Sequence, residues 1–296
     1  HWLRPDLGII DLNGSKANNC VLDAVHSPSV IHNPEAAASE QYSLLGYVRK
    51  PDKGYHIAHS ADGIRWEFYP KNPVAPFGDT CTLMHDPFAK RYYAFHKQNT
   101  VVRGERRRTV WLTTSGDLQS WSEPVMVMAP DETDDAQTRG EGGKFSQFYD
   151  MSAFPYGGQF LGFLAHFRLM GPPARKGREQ SNDDGPIDIQ LVHSRDGVTW
   201  NRCEDRTPVI PNGPSSYDAG CILGVANGIV SVGDEIWTYY TAINTTHGGF
   251  VPEKKSAIAL AKWRRDGFVS LDAGENTGVV RTKPLRWSGN ALVLNA

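Results

Sequence analysis

Short runs of alternating apolar and polar residues recur along this chain, and three of them run into the same turn. Tyr55-His-Ile-Ala-His leads into Ser60-Ala-Asp62-Gly63-Ile-Arg-Trp66, and Val110-Trp-Leu-Thr-Thr leads into Ser115-Gly-Asp117-Leu-Gln-Ser-Trp121. Ile189-Gln-Leu-Val-His leads into Ser194-Arg-Asp196-Gly197-Val-Thr-Trp200. A looser copy, Trp263-Arg-Arg-Asp266-Gly267-Phe268, comes after Ser256-Ala-Ile-Ala-Leu-Ala. Period-two alternation predicts a strand, the Asp predicts a turn in which its carboxylate caps free backbone N–H groups, and the Trp predicts packing between sheets.

Upstream of each turn the pattern repeats as well. An acid stands before or within an apolar run in each unit: Asp23 ahead of Ser29-Val-Ile-His, Asp79 ahead of Thr82-Leu-Met-His, Asp150 ahead of Met151-Ser-Ala-Phe and Asp218 ahead of Cys221-Ile-Leu-Gly. Turn residues come next, then an aromatic-rich strand such as Tyr92-Tyr-Ala-Phe-His or Ile236-Trp-Thr-Tyr-Tyr. The first acid and the turn Asp lie 39, 38, 46 and 48 residues apart in the four units. A unit of strand, hairpin, strand, Asp turn and short outer strand at this spacing is a four-stranded antiparallel β-propeller blade. The segment His1-Trp2-Leu-Arg-Pro-Asp resembles the stretch after the Trp of such a turn, so a truncated first blade in a piece of a longer chain is expected. The fold predicted is all-β, a five-bladed propeller over residues 1–274, with residues 275–296 as a closing strand or the start of a β-sandwich.

Composition changes this picture little. Among 296 residues, 29 Gly and 19 Pro suit many tight turns, and a net charge of −2 argues against nucleic acid or an anionic membrane as partner. No apolar stretch reaches the roughly 20 residues that span a bilayer. The basic cluster Arg103-Gly-Glu-Arg-Arg-Arg108 is expected to be a solvated hairpin tip. Cys20, Cys81, Cys203 and Cys221 lack metal-ligand spacing. Cys20, Cys81 and Cys221 stand near inner-strand starts and are expected to be core thiols, with no disulfide.

The innermost strands of a propeller surround a central funnel, so Asp23, Asp79, Asp150 and Asp218 are expected to converge there although they lie far apart in sequence. Glu141, in the Gly-rich Arg139-Gly-Glu-Gly-Gly-Lys144 loop, is a further candidate acid. Crowded carboxylates raise one another's pKa, which supplies a protonated acid beside an ionised base. Alternatively each Asp caps its strand through an Asx turn. His26, His85, Asn227 and His247 are the candidate substrate-binding residues.

The Asp-initiated inner strands, the Ser-x-Asp-Gly-x-x-Trp turns and Tyr149-Asp-Met-Ser-Ala-Phe-Pro-Tyr156 resemble the five-bladed propeller glycoside hydrolases of families 32, 43 and 68. The resemblance spans almost the whole chain at blade level and is diffuse at motif level. It implies a first-blade carboxylate as base or nucleophile (Asp23), a second-blade Asp supporting the transition state (Asp79), and an acid on a later blade (Asp218, Glu141 or Asp150). Asp79→Asn is then expected to reduce turnover and leave thermal melting almost unchanged. The resemblance implies an oligo- or polysaccharide substrate cleaved at a terminal bond, furanosidic linkages included, and a secreted or periplasmic location. It requires no cofactor and allows a structural calcium in the funnel. The strong motifs of the invertase-like members are absent, which leaves the acid open. The alternative is a non-catalytic propeller that binds glycan or protein through the same mouth.

Overall fold

The computed structural model describes residues 3–23, 25–175, 177, 181–214, 217–284, 286 and 288–291. Four blade-like antiparallel units succeed one another along the chain, the third and fourth joined into one nine-stranded sheet by a single parallel pairing of Ile187 with Cys221. The first holds β1 (Val25–His32), β2 (Tyr42–Val48), β3 (Gly54–Ser60) and β4 (Glu67–Phe68) in that order. The second holds β5 (Cys81–Asp86), β6 (Arg91–Val102), β7 (Glu105–Ser115) and β8 (Val125–Met128). An α-helix, α1 (Glu132–Gly140), precedes the third, which is built from β9 (Phe145–Tyr156), β10 (Gln159–Leu169) and β11 (Ile187–Ser194). Two short strands, β12 (Trp200–Arg202) and β13 (Pro208–Ile210), both pair with β11. The fourth is β14 (Cys221–Val225) and β15 (Val230–Val232) on one edge of β16 (Glu235–Ile243), with β17 (Ser256–Arg264) on the other.

The shared turn forms as its residue types require. In the first copy the Ser60 hydroxyl donates to Asp62, and Oδ1 of Asp62 accepts from the backbone N–H of Ile64 and of Arg65, each at 2.8 Å. The indole N–H of Trp66 then donates to the carbonyl of Gly63 at 3.1 Å. The same bonds recur at Asp117 with Trp121 and at Asp196 with Trp200. Being capped, Asp62 and Asp196 are held down to about 2, chiefly by those backbone N–H groups.

Apolar burial is concentrated between consecutive sheets. Leu45, Tyr55, Ile57 and Leu83 fill the first interface, and Phe95, Leu112, Met151 and Leu164 fill the second. The third holds Phe163, Phe167, Ile187 and Ile222. Each turn aromatic packs against the interface with the preceding sheet. Trp121 lies on the first, Trp200 within the second, edge-on to Phe95, and Phe268 beside Trp263 on the third. Trp66 holds the corresponding place on the first sheet, where Val21, Leu22 and Val25 share a cavity with it. Trp200 is buried, whereas Trp66 and Trp121 are half-buried.

The inner strands are tied to one another by side-chain bonds. Leu83 N–H donates to Ser29 Oγ at 2.6 Å, Thr82 Oγ1 to the Met151 carbonyl at 2.5 Å, and Ser152 Oγ to the Ala226 carbonyl at 2.9 Å. These join the sheets in succession around an axis. Cys81 and Cys221 are buried near the starts of β5 and β14, while Cys20 is half-buried and outside any strand.

Three features differ from the sequence-based expectation. The fourth sheet has three strand positions, because β14 and β15 are one edge interrupted at residues 226–229. No strand is assigned among the described residues of 3–23 or 265–291, and Trp2, Leu285 and Trp287 lie outside the described residues. Helix α1 departs from the all-β reading, and it starts at a reciprocal capping box in which Asp131 and Asp134 bond each other's backbone N–H.

Replacing Trp200 with Ala is expected to cost about 3–5 kcal/mol, as a buried aromatic truncation, and Trp66→Ala clearly less. Denaturant unfolding of the two variants measures this; equal losses would contradict the burial difference.

Candidate active site

The N-terminal halves of the inner strands open onto a cavity of about 640 Å³. His26 and Ser29 come to it from β1, Asp79 and Thr80 from just before β5, Tyr149 and Asp150 from β9, and Gly224 from β14. Two carboxylates therefore meet in one cavity from neighbouring sheets.

Asp79 is the more constrained. Its φ is +100°, which an L-residue adopts only under local strain of about 1–3 kcal/mol. Gly78 precedes it because a Cβ at that position would run into the ring of Tyr47. One carboxylate oxygen accepts from the Lys97 ammonium and the other lies 3.2 Å from His26 Nε2. Burial alone would raise the Asp79 carboxyl, but Lys97 and His26 outweigh it and hold it below the usual range. Lys97, only 8% exposed, is itself drawn below its ordinary value by burial, with Asp79 opposing.

Asp150 has the opposite setting. No protein hydrogen bond reaches its carboxylate among the described residues. Burial pushes it up to about 7, and Lys97 pulls the other way without prevailing. Gly224 keeps its approach narrow but open, since a Cβ there would lie 3.4 Å from Oδ2.

Tyr149 forms the wall between Lys97 and β9. The Lys97 ammonium sits 4.6 Å from its ring centroid and the Arg108 guanidinium 5.3 Å. His247 stands behind it. Its Nδ1 is 3.0 Å from the Asp183 carbonyl, which can only accept, so Nδ1 carries the proton and Nε2 accepts from the Tyr149 hydroxyl at 3.2 Å. Burial lowers the pKa of His247, in keeping with a neutral ring.

Of the residues singled out from sequence, Asp79, Asp150, His26 and Asn227 line this cavity, and His247 supports it through Tyr149. Asn227 also reaches the opposite end of the axis, and its amide donates to Ser29 Oγ and to the carbonyls of Leu83 and Val30. It is a tie between three sheets. Asp23 is exposed ahead of β1 and does not line the cavity. Asp218 is buried behind the lining, with Oδ2 3.4 Å from the hydroxyl of Tyr240. Glu141 is held 2.9 Å from Arg168, at the end of α1. His85 faces the other mouth, tilted against Tyr92.

Sequence reasoning missed Lys97 and Arg108. Lys97 had a signal, a cation ending the apolar run Tyr93-Ala-Phe-His on a central strand, where a charge needs a partner. The tip of the cluster at residues 103–108 is exposed as expected, from Arg103 to Arg106, but Arg107 and Arg108 are drawn inward. Arg107 is 1% exposed and pairs with Asp135 at 2.8 Å, Arg103 pairs with the same carboxylate, and Arg108 pairs with Asp183 at 2.8 Å. The acids of α1 and of the 181–184 segment, remote in sequence, neutralise Arg103, Arg107 and Arg108.

Among the described residues no three His, Cys, Asp or Glu side chains converge to hold a metal ion, and no helix is long and apolar enough to cross a membrane.

Neither a protein-family model nor a curated protein matches the sequence. Solved structures do match in fold. A thermostable family-43 glycoside hydrolase superposes with a TM-score of 0.54 at 12% identity, over 81% of this chain and 72% of that one. Another structure, described as a glycoside hydrolase, also gives 0.54 at 12% identity, over 87% and 76%. The β-1,2-mannobiose phosphorylase from Listeria innocua gives 0.51 at 14% identity, over 84% and 74%. The fold is that of the propeller glycoside hydrolases and related enzymes, with a divergent sequence.

The ion pair changes what Asp79→Asn should do. Removing the charge strands the Lys97 ammonium in a buried position, so the variant is expected to lose about 1–3 kcal/mol of stability rather than melt as wild type. Asp79→Asn combined with Lys97→Met should recover most of the loss in denaturant unfolding. A single variant as stable as wild type would show that the pair contributes nothing.

Proposed function

We propose that this protein is a glycoside hydrolase that cleaves a terminal glycosidic bond, furanosidic linkages included, in the cavity between Asp79 and Asp150. One observation carries the reading: two carboxylates from neighbouring inner strands line one cavity, one with its pKa lowered by Lys97 and His26 and the other with its pKa raised by burial to about 7. That division is what protonation of a leaving oxygen beside a developing positive charge requires. The shared fold with glycoside hydrolases supports it.

In this reading Asp150 is the general acid. It is protonated in much of the population at neutral pH, carries no competing hydrogen bond, and donates to the departing glycosidic oxygen. Asp79 has both oxygens engaged and a lowered pKa, which makes it a weak base and a strong fixed charge. It stabilises the positive charge that grows on the sugar ring in the transition state. His26, held through Nε2 by that carboxylate, takes the proton of the attacking water on its other ring nitrogen. The substrate is an oligo- or polysaccharide. A fifth blade on the flank beside Trp66 would complete the ring of sheets.

Release of reducing sugar from a panel of pyranosides, furanosides and fructans tests the activity. Asp150→Asn should lower kcat by several orders of magnitude, and wild-type turnover should fall as pH rises through about 7, where the acid loses its proton. Stability should move the other way. Because the folded-state pKa of Asp150 lies above its unfolded value, the folded chain binds more protons between about pH 4 and 7. Stability therefore declines across that window as pH rises. Asp150→Asn removes this cost, so it should melt higher than wild type at pH 8 and alike at pH 4. A variant with full turnover, or with no gain at pH 8, overturns the assignment.

A further inference from the structure

Beyond Asp79 the cavity wall continues into a second hollow of about 380 Å³, lined by Phe77, Gly78, Asp79 and, from the β6–β7 hairpin, Lys97, Gln98, Asn99, Arg106 and Arg108. Strand alternation explains the convergence. Lys97 and Asn99 are two apart on β6, Arg106 and Arg108 two apart on β7, and the register sets Asn99 directly opposite Arg108. All four therefore stand on one face of the hairpin.

The charges on this face do not cancel. Lys97 consumes the Asp79 carboxylate, and Asp183 reaches Arg108 at 2.8 Å. Arg106 is exposed and has no hydrogen bond or ion pair among the described residues. Arg108 is also fixed in place, bonded to Gln147 Oε1 at 2.8 Å and stacked over Tyr149 and Phe167 at 5.3 and 5.4 Å. A rigid guanidinium, a free one two residues away and an amide opposite form a donor-rich surface beside the reacting centre. The complement of such a surface is an oxyanion, which offers several acceptors and no donors.

We propose that this hollow is a subsite for an anionic group carried by the glycan, a uronate carboxylate or a sulfate ester, bound by Arg106 and Arg108 with Asn99. This rests on the reading of the Asp79–Asp150 cavity as a glycan site and adds the substrate class to it. The sugar carrying the charge would lie on the Lys97 side of Asp79. Attraction to Arg106, the more solvated cation, should weaken with ionic strength.

The test compares matched ligands. Titration calorimetry at 50 mM and 500 mM NaCl would measure binding of glucuronate, galacturonate and a sulfated monosaccharide against their neutral parents, for wild type and for Arg106→Met. Hydrolysis of uronate-bearing, sulfated and neutral oligosaccharides would be read in parallel. The proposal expects at least tenfold tighter binding of one anionic class over its neutral parent, weakened at high salt and reduced about tenfold in Arg106→Met, with melting unchanged because Arg106 is exposed. The uronate and sulfate arms identify which oxyanion is taken. Equal affinity for charged and neutral sugars, or no binding of either, overturns the subsite. Turnover of neutral glycans with no anionic preference also overturns it and leaves the hydrolase reading standing. Arg106-dependent anion binding without turnover of any glycan supports the subsite and overturns the hydrolase reading.

Discussion

Lys97 carries its ammonium into the wall of the central cavity, where only 8% of the side chain meets solvent. A charge so placed must be matched. Within reach are Asp79, which bonds it, and Asp150, which feels it without a hydrogen bond. That asymmetry leaves the pKa of Asp79 lowered by its ion pair and that of Asp150 raised by burial, and like-charge repulsion between them is not needed to set them apart. The strained backbone at Asp79 fits the same constraint, because a φ of +100° is held only where surrounding contacts over-determine it. The ammonium, the His26 ring and the exclusion of a side chain at Gly78 together fix the carboxylate.

The repeat was legible in the sequence because its physics is local. A Ser, an Asp and a Trp at fixed offsets make their hydrogen bonds within one turn of seven residues, so three copies announce themselves without any knowledge of the fold. The inner-strand acids were legible as a class, and Asp79 and Asp150 do share a cavity. Which other acids join them was not legible, since Asp218 is screened by Tyr240 and Glu141 is taken by Arg168, and neither partner is near in sequence. The cations were harder still. Arg103, Arg107 and Arg108 read as a solvated cluster because the carboxylates that neutralise them, Asp135 and Asp183, arrive from a helix and a segment some 30 to 75 residues away.

Helix α1 shows how much of the wall depends on such distant partners. Asp135 accepts from Arg107 and from the N–H of Ser146, and Ser146 Oγ meets His166 Nε2 at 2.8 Å. Gln190 donates to the other ring nitrogen at 3.1 Å, so Nε2 carries the proton. Burial, with Arg168 and Arg202 nearby, keeps His166 down to about 3 and hence neutral. A charged imidazole there would face two guanidinium groups in a dry interior. A neutral His166 avoids that repulsion within the polar layer beneath β9 and β10.

That layer bears on the cavity through strand β9. Ser146 and Gln147 are locked at one end of the strand, by Asp135 and by Arg108, and Tyr149 and Asp150 lie three and four residues beyond Ser146. Arg108 links the two regions, since one guanidinium nitrogen bonds Gln147 while the plane covers Tyr149. The cation that stiffens the acid-bearing strand is thus the one that faces the second hollow. An anion bound there would draw on a guanidinium already ordered by Gln147, Asp183 and two rings, so little side-chain entropy would be lost on binding. The same ordering limits how far Tyr149, and the half-buried Asp150 next to it in sequence, can move when a ligand arrives.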